Sequence, residues 1–186
     1  MDMTAFSHGQ TQSKLWLCDQ LEQHVSKSSH ALIMGSWYNV LGFLLLARNS
    51  GKYNLITGMD KDQEAIDIAN RINDGWMLCD DKKVRNVCQD VHNLTSSNFL
   101  IYDLIINTSV EHMSPSWYEN VASDQLVCLQ SSNMVTADPN WNIIDPNPTM
   151  AEFKSKYPMS QILFEGEKVF DYGHLVYTRY MIIGRK

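Results

Sequence analysis

The sequence has no excess of positive charge. Lys and Arg number 15 against 21 Asp and Glu, a net charge of −6. That argues against a dedicated binder of nucleic acid, because such proteins present a basic face to the phosphates. Cysteines are few: Cys18, Cys79, Cys88 and Cys128. None stands at the CxxC or CxxH spacing of a zinc site, so reduced thiols in a cytoplasmic protein are expected, with no metal. His112 and His174 likewise lack nearby ligands at metal-binding spacing. No apolar stretch approaches the roughly 20 residues that span a bilayer, and no membrane partner is expected. The first residues lack the basic and apolar blocks of a secretory signal. There is no internal repeat and no low-complexity tract. What remains is a chain of 186 residues, 44% hydrophobic and 19% charged, an ordinary composition for a soluble protein. It is long enough to bury a full core as a single domain over 1–186, with 1–30 as an N-terminal helical extension.

The stretch from Ala31 to Asp60 carries the clearest pattern. Ala31 to Met34 is an apolar run that ends at Gly35, and a second such run goes from about Tyr53 to Asp60. Between them Val40, Leu41, Leu44, Leu45 and Ala47 recur at helical spacing. Strand, tight turn, helix, strand make one βαβ unit. Such a unit sets a turn and a helix N-terminus at the carboxyl end of a parallel strand, where backbone N–H groups face a ligand. An acid at the end of the second strand can bond the two hydroxyls of a ribose. Gly35 and Asp60 stand in those places.

The rest of the chain fits around this unit. Met1 to Gln12 is polar and expected to be loose at least in part. Ser13 to Val25, with Leu15, Trp16, Leu21 and Val25, reads as an amphipathic helix, and Ser26 to His30 as a polar link. A helix starting near Asp62 buries Ala65, Ile66, Ile68, Ala69 and Ile72. Strands are expected over Lys83–Cys88, Tyr102–Thr108 and Gln125–Ser131. Short helices are expected at Ser114–Ala122 and Thr149–Tyr157, with His92 to Phe99 as a link or short helix. Asn133 to Pro148 holds Pro139, Pro146, Pro148 and Trp141, the character of a loop that walls a substrate site. Two strands, Gln161–Phe170 and His174–Gly184, meet at Asp171-Tyr172-Gly173 as a hairpin. Alternating β and α followed by a hairpin predicts an α/β sheet with an antiparallel end.

Four local segments resemble the class I S-adenosylmethionine-dependent methyltransferases: ALIMGSW, LITGMDKDQEAIDIA, NVCQDV and YDLIINTSVEHM. The resemblance runs from about Ala31 onward. It implies a Rossmann-like three-layer αβα sandwich on a seven-stranded, mostly parallel sheet of order 3-2-1-4-5-7-6, with the C-terminal hairpin supplying the antiparallel strand. It implies S-adenosyl-L-methionine as cofactor and contacts from Gly35, Ser36, Trp37, Asp60, Lys61, Asp90, Val91 and Asn107. The family's motif departs here: Ile33 replaces the usual acid before the first glycine, Trp37 a second glycine, and Asn39 a common third. The (Asn/Asp)-Pro-Pro-(Tyr/Phe) motif of amine and amide methyltransferases is replaced by Asn107-Thr108-Ser109-Val110.

Each of these residues also has a plainer reading. Gly35 permits a turn, Asp60 ends a strand, Asp90 caps the next segment, and Asn107 closes a strand-end turn. Trp37 either crowds the methionine end of the cofactor or stacks along it. Glu111 and His112 are candidates for acid–base work, against a structural role for both. Trp141, Tyr172, His174 and Tyr177 are candidates for a pocket wall, with ordinary strand alternation as the plainer account of Tyr177. The implied reaction is methyl transfer to a small-molecule or protein acceptor, where the protein mainly aligns donor and nucleophile. Two other readings stand beside it: a catalytically silent binding or assembly protein, and a nicotinamide-dependent oxidoreductase, which the missing GxGxxG and the terminal hairpin disfavour.

Overall fold

The structure is a computed structural model and describes residues 1–77, 83–134, 142–173 and 175–186. A 3-10 turn at Met3–Phe6 leads into α1 (His8–His24) and then β1 (Ser28–Met34), α2 (Val40–Asn49), β2 (Tyr53–Asp60), α3 (Gln63–Ile72) and the short α4 (Asp74–Met77). β3 (Val84–Cys88), a 3-10 turn at Val91–Asn93, α5 (Ser96–Phe99) and β4 (Leu104–Asn107) follow. Two more 3-10 segments, Val110–His112 and Pro115–Asn120, precede β5 (Leu126–Ser132). α6 (Met150–Lys156) and the hairpin β6 (Gln161–Asp171) and β7 (Val176–Arg185) complete the chain. All seven strands join one sheet in the order β3-β2-β1-β4-β5-β7-β6. β7 runs antiparallel to both β5 and β6, while β3, β2, β1, β4 and β5 are parallel. The fold and strand order implied by the sequence resemblance are therefore those observed.

The period of two along each strand divides the core between the sheet's faces. Leu32 and Met34 of β1, with Ile105 of β4, pack under Phe99, Trp117, Tyr118, Phe153 and Tyr157. Ala31 and Ile33, with Leu104 and Ile106, pack under Leu17, Cys18 and Leu21 of α1 and Leu41, Leu45 and Leu46 of α2. Strands covered on both sides need continuous apolar runs, and LIIN of β4 is buried at all four positions.

Two polar stretches depart from their sequence reading. Residues 28–30 are not a link but the start of β1. The Asp103 carboxylate accepts from Ser28 Oγ and from the N–H groups of Ser29 and His30, at 2.5, 2.6 and 3.1 Å. That carboxylate holds the polar stretch extended. The first residues are also more ordered than their polarity suggests. Asp2 caps the 3-10 turn and Ser7 caps α1, while Ala5 is buried against Tyr38, Val40, Ala65 and Ile68. The helix thus begins at His8 rather than Ser13, and α1 is an integral cover of the sheet. The segment expected as a helix after Ser114 is a 3-10 run of six residues, Pro115–Asn120, with Ser114 as its cap. α6 has its expected place, closed by a capping box between Thr149 and Glu152. No helix among the described residues is long and apolar enough to cross a membrane.

Candidate active site

A cleft of about 1120 Å³ opens at the carboxyl ends of β1, β2 and β3, with the segment after β4 as its far wall. Open α/β sheets bind ligands at this edge, where the strand order reverses between β1 and β4. Gly35, Ser36, Trp37, Asp60, Lys61, Asp90, Val91 and His112 all line it. Asn107 and Glu111 do not.

The turn after β1 is unusually bent. Gly35, Trp37 and Asn39 all have positive φ, at 56°, 48° and 47°. Only glycine adopts that region at no steric cost, and asparagine tolerates it better than other side chains. A Cβ at Gly35 would stand 3.1 Å from Met113 Cε on the opposite wall. Asn39 compensates by its side chain: Oδ1 accepts from Gly42 N–H at 3.1 Å and caps α2, and Nδ2 donates to Asn86 Oδ1 at 2.8 Å. The position of a missing glycine is thus filled by a helix cap.

Asp60 fixes this turn from the neighbouring strand. Its Oδ2 accepts from Trp37 N–H at 2.7 Å and its Oδ1 from Asp62 N–H at 3.1 Å. Each carboxylate oxygen retains a lone pair for a ligand at the cleft. The Trp37 ring stacks on Tyr38, with centroids 4.6 Å apart. It also packs against the Ala5, Tyr38, Val40, Ala65 and Ile68 cluster. Ser36 Oγ is buried without a partner. The residues present fit a nucleoside with a charged tail: an acid at the second strand's end, a Cβ-free turn and an unspent hydroxyl at the first.

Asp90 caps the turn at Val91–Asn93. Its Oδ1 accepts from His92 N–H at 3.0 Å and faces His92 Nδ1 at 2.9 Å. The His92 N–H bond is the largest influence holding the Asp90 carboxyl below its usual pKa. Val91 beside it is buried. Asn107 is fully buried and turned onto its own loop, with Oδ1 accepting from Ser109 N–H at 3.0 Å and Nδ2 on Met113 Sδ at 3.2 Å. This is the turn-closing arrangement.

Glu111 and His112 diverge. Glu111 is 2% exposed, and its Oε1 accepts from Ser132 Oγ at 3.1 Å and Arg179 Nη1 at 3.3 Å. Its backbone carbonyl accepts from Ile144 and Asp145 N–H. Glu111 therefore ties the wall after β4 to β5, β7 and the 142–148 segment. His112 faces the cleft, and its Nδ1 lies 3.0 Å from the Asn142 carbonyl oxygen. A carbonyl only accepts, so Nδ1 carries the proton, and in the neutral ring Nε2 is left with a free lone pair.

Of the loop expected to wall a substrate, Met134, Asn142, Ile143 and Ile144 border the cleft or the cavity beside it. Trp141 and His174 lie outside the described residues. Tyr172 and Tyr177 line that second cavity. Sequence reading missed Lys14, Gln10, Tyr38 and Arg179. Arg179 left one trace, a charge inside the apolar run VYTRYMII. Among the described residues no group of three His, Cys, Asp or Glu side chains is placed to hold a metal ion.

No protein-family model matches the chain, and no curated protein matches it in sequence. Solved structures do. The N-methyltransferase NodS from Bradyrhizobium japonicum WM9, in complex with S-adenosyl-L-homocysteine, superposes with a TM-score of 0.71 at 11% identity, over 97% of this chain and 89% of that one. The MccD protein gives 0.66 at 11% identity, over 92% and 96%. The plantazolicin methyltransferase BpumL, also with S-adenosyl-L-homocysteine, gives 0.57 at 14% identity, over 93% and 82%. At such identities the likeness is one of fold.

Proposed function

We propose that this chain, which has the fold of the class I S-adenosylmethionine-dependent methyltransferases, binds S-adenosyl-L-methionine in the cleft and transfers its methyl group to a small-molecule or protein acceptor. The observation that carries the reading is the Asp60 carboxylate at the end of β2, bonded to the N–H of Trp37 in the turn after β1. One carboxylate thereby sets the shape of the turn and offers its remaining lone pairs to a ribose. The bound cofactor supplies a methyl group already activated on a sulfonium, so little chemistry is left to side chains.

On this reading Asp60 holds the ribose and Gly35 with Ser36 lets the methionine tail approach the backbone. Asp90 and Val91 border the base, with Lys61 at the rim. Trp37 contributes its backbone, since its ring is engaged in stacking on Tyr38 and packing beside Ala5 and Val40. Where the acceptor arrives protonated, His112 is the group in place to take the proton, through the Nε2 that Asn142 leaves free. Glu111, held in its buried ion pair with Arg179, keeps a structural part. The proteins matched in structure as N-methyltransferase and plantazolicin methyltransferase support methyl transfer as the class of reaction.

The test is calorimetry with S-adenosyl-L-homocysteine and, separately, with NAD. Binding of the first alone is the expected result. NAD binding alone would favour an oxidoreductase, and a folded chain that binds neither would favour a silent binding protein.

A further inference from the structure

Beside the cleft lies a second chamber of about 290 Å³, near the small end of ligand pockets. The two cavities share Ser7, Gln10 and His112 in their linings, so they meet at the first turn of α1. The chamber's apolar wall is Met134, Ile143 and Leu175. Across it, Tyr172 and Tyr177 bring their hydroxyls to 2.6 and 2.7 Å from where a Cβ on Gly9 would stand. Gly9 is what admits the two rings against the helix.

The charges here do not follow the chain's net charge of −6. Among the described residues the one acid lining the chamber is Glu111, whose Oε1 is paired with Arg179 and whose Oε2 is buried without a partner. Arg179 is 8% exposed; its Nη1 serves Glu111 and the Thr108 carbonyl, and its Nε is buried with no partner. The 17-residue helix α1 presents its N-terminal turn, and hence the positive end of its dipole, to the same space. Lys14 follows one helical turn after Gln10 and lines the cleft at this junction. Among the described residues its Nζ bonds Gln10 alone, at 2.6 Å to Oε1 and 3.4 Å to the carbonyl oxygen. Among the described residues no carboxylate is within ion-pair distance of it. Burial, with Arg179 repelling it, brings its ammonium down to about 7. A lysine without an ion-pair partner, an arginine and a helix N-terminus thus border the two adjoining cavities, and an anion placed between them would be attracted by all three.

We propose that the chamber takes a small acceptor carrying a carboxylate, about one ring in size, with the carboxylate at the first turn of α1, between Lys14 on the cleft side and Arg179 on the chamber side. The word acceptor rests on the methyl-transfer reading; the anion site does not.

The probes are benzoate, its neutral isostere benzamide and the cation benzylamine, titrated into the full chain with and without S-adenosyl-L-homocysteine and followed by nuclear magnetic resonance. Benzoate is expected to bind at least ten-fold more tightly than benzamide, with benzylamine weakest. Lys14→Met should weaken benzoate about ten-fold and leave the S-adenosyl-L-homocysteine affinity as it was, and Lys14→Arg should keep most of the benzoate affinity. No preference for benzoate over benzamide, or no binding of either, overturns the proposal. So does a Lys14→Met chain that loses S-adenosyl-L-homocysteine and keeps benzoate, since that assigns the carboxylate site to the cofactor's methionine end. Benzoate binding in a chain that does not bind S-adenosyl-L-homocysteine would leave the anion site standing and remove methyl transfer.

Discussion

Replacing Asp60 with alanine separates the two roles assigned to its carboxylate. In the free protein the side chain accepts from Trp37 N–H at 2.7 Å and from Asp62 N–H at 3.1 Å. A hydrogen bond to a charged group contributes about 1.5–3 kcal/mol. The shorter bond holds a residue with φ of 48°, so its loss should register in stability, while the Asp62 N–H at the exposed rim can turn to water. For a chain of this size each kcal/mol moves the melting midpoint by about 2–4 °C, so Asp60→Ala should melt about 3–12 °C lower. Losing the ribose bonds should weaken S-adenosyl-L-homocysteine roughly 10- to 100-fold, from the same 1.5–3 kcal/mol. Asp60→Asn keeps one acceptor oxygen but turns an amide donor toward one of the two N–H groups, so both losses should be smaller. Scanning calorimetry and isothermal titration on the parent and both variants measure the two effects independently. An unchanged midpoint in Asp60→Ala would refute the clamp on the turn. A lowered midpoint with unchanged ligand affinity would refute the ribose role.

Gly35→Ala should lower the melting midpoint, because a side chain at φ of 56° costs about 1–2 kcal/mol and its Cβ meets Met113 Cε. It should also abolish detectable S-adenosyl-L-homocysteine binding by titration, and a variant that keeps both properties would show that the turn tolerates a Cβ. Lys14→Met should raise the midpoint, because the folded chain holds that ammonium at about 7 against the ordinary 10.5 of a lysine. Between those values the unfolded chain binds the proton more tightly, so the parent gains stability from this group as pH rises. Its cost is fully present below about pH 7, and the gain from methionine should therefore be larger in melts at pH 6 than at pH 9. An equal gain at both values would refute the shifted lysine.

How much of this was legible in the sequence depends on the range of the interaction. Local pattern sufficed for the βαβ unit from Ala31 to Asp60, for the strand spanning Leu104–Asn107, for the short helix α6 and for the terminal hairpin. In each case the residues that decide the structure lie within a few positions of one another. The cleft-lining residues Gly35 to Trp37, Asp60, Asp90 and Val91 stand where local pattern could single them out, since each sits at a strand end or in the turn that follows. The sequence could not show that Ser28 to His30 belong to β1, because the carboxylate that extends them is Asp103, more than seventy residues away. It left Asn39 as a departure from a glycine motif; the structure shows that side chain capping α2 through the Gly42 N–H and anchored by Asn86 of β3, 47 residues on. Glu111 and His112, adjacent in the chain, received opposite surroundings. β7 enters between β5 and β6 and pairs Arg179 with Ser132, which brings a guanidinium to Glu111 and none to His112. The same insertion sets Arg179 near Lys14 on the first long helix. Local residue patterns determined the elements and the strand-end acids. The charge of the second chamber was decided by tertiary structure, because electrostatic pairing depends on distance in space and β7 returns from the far end of the chain to supply it.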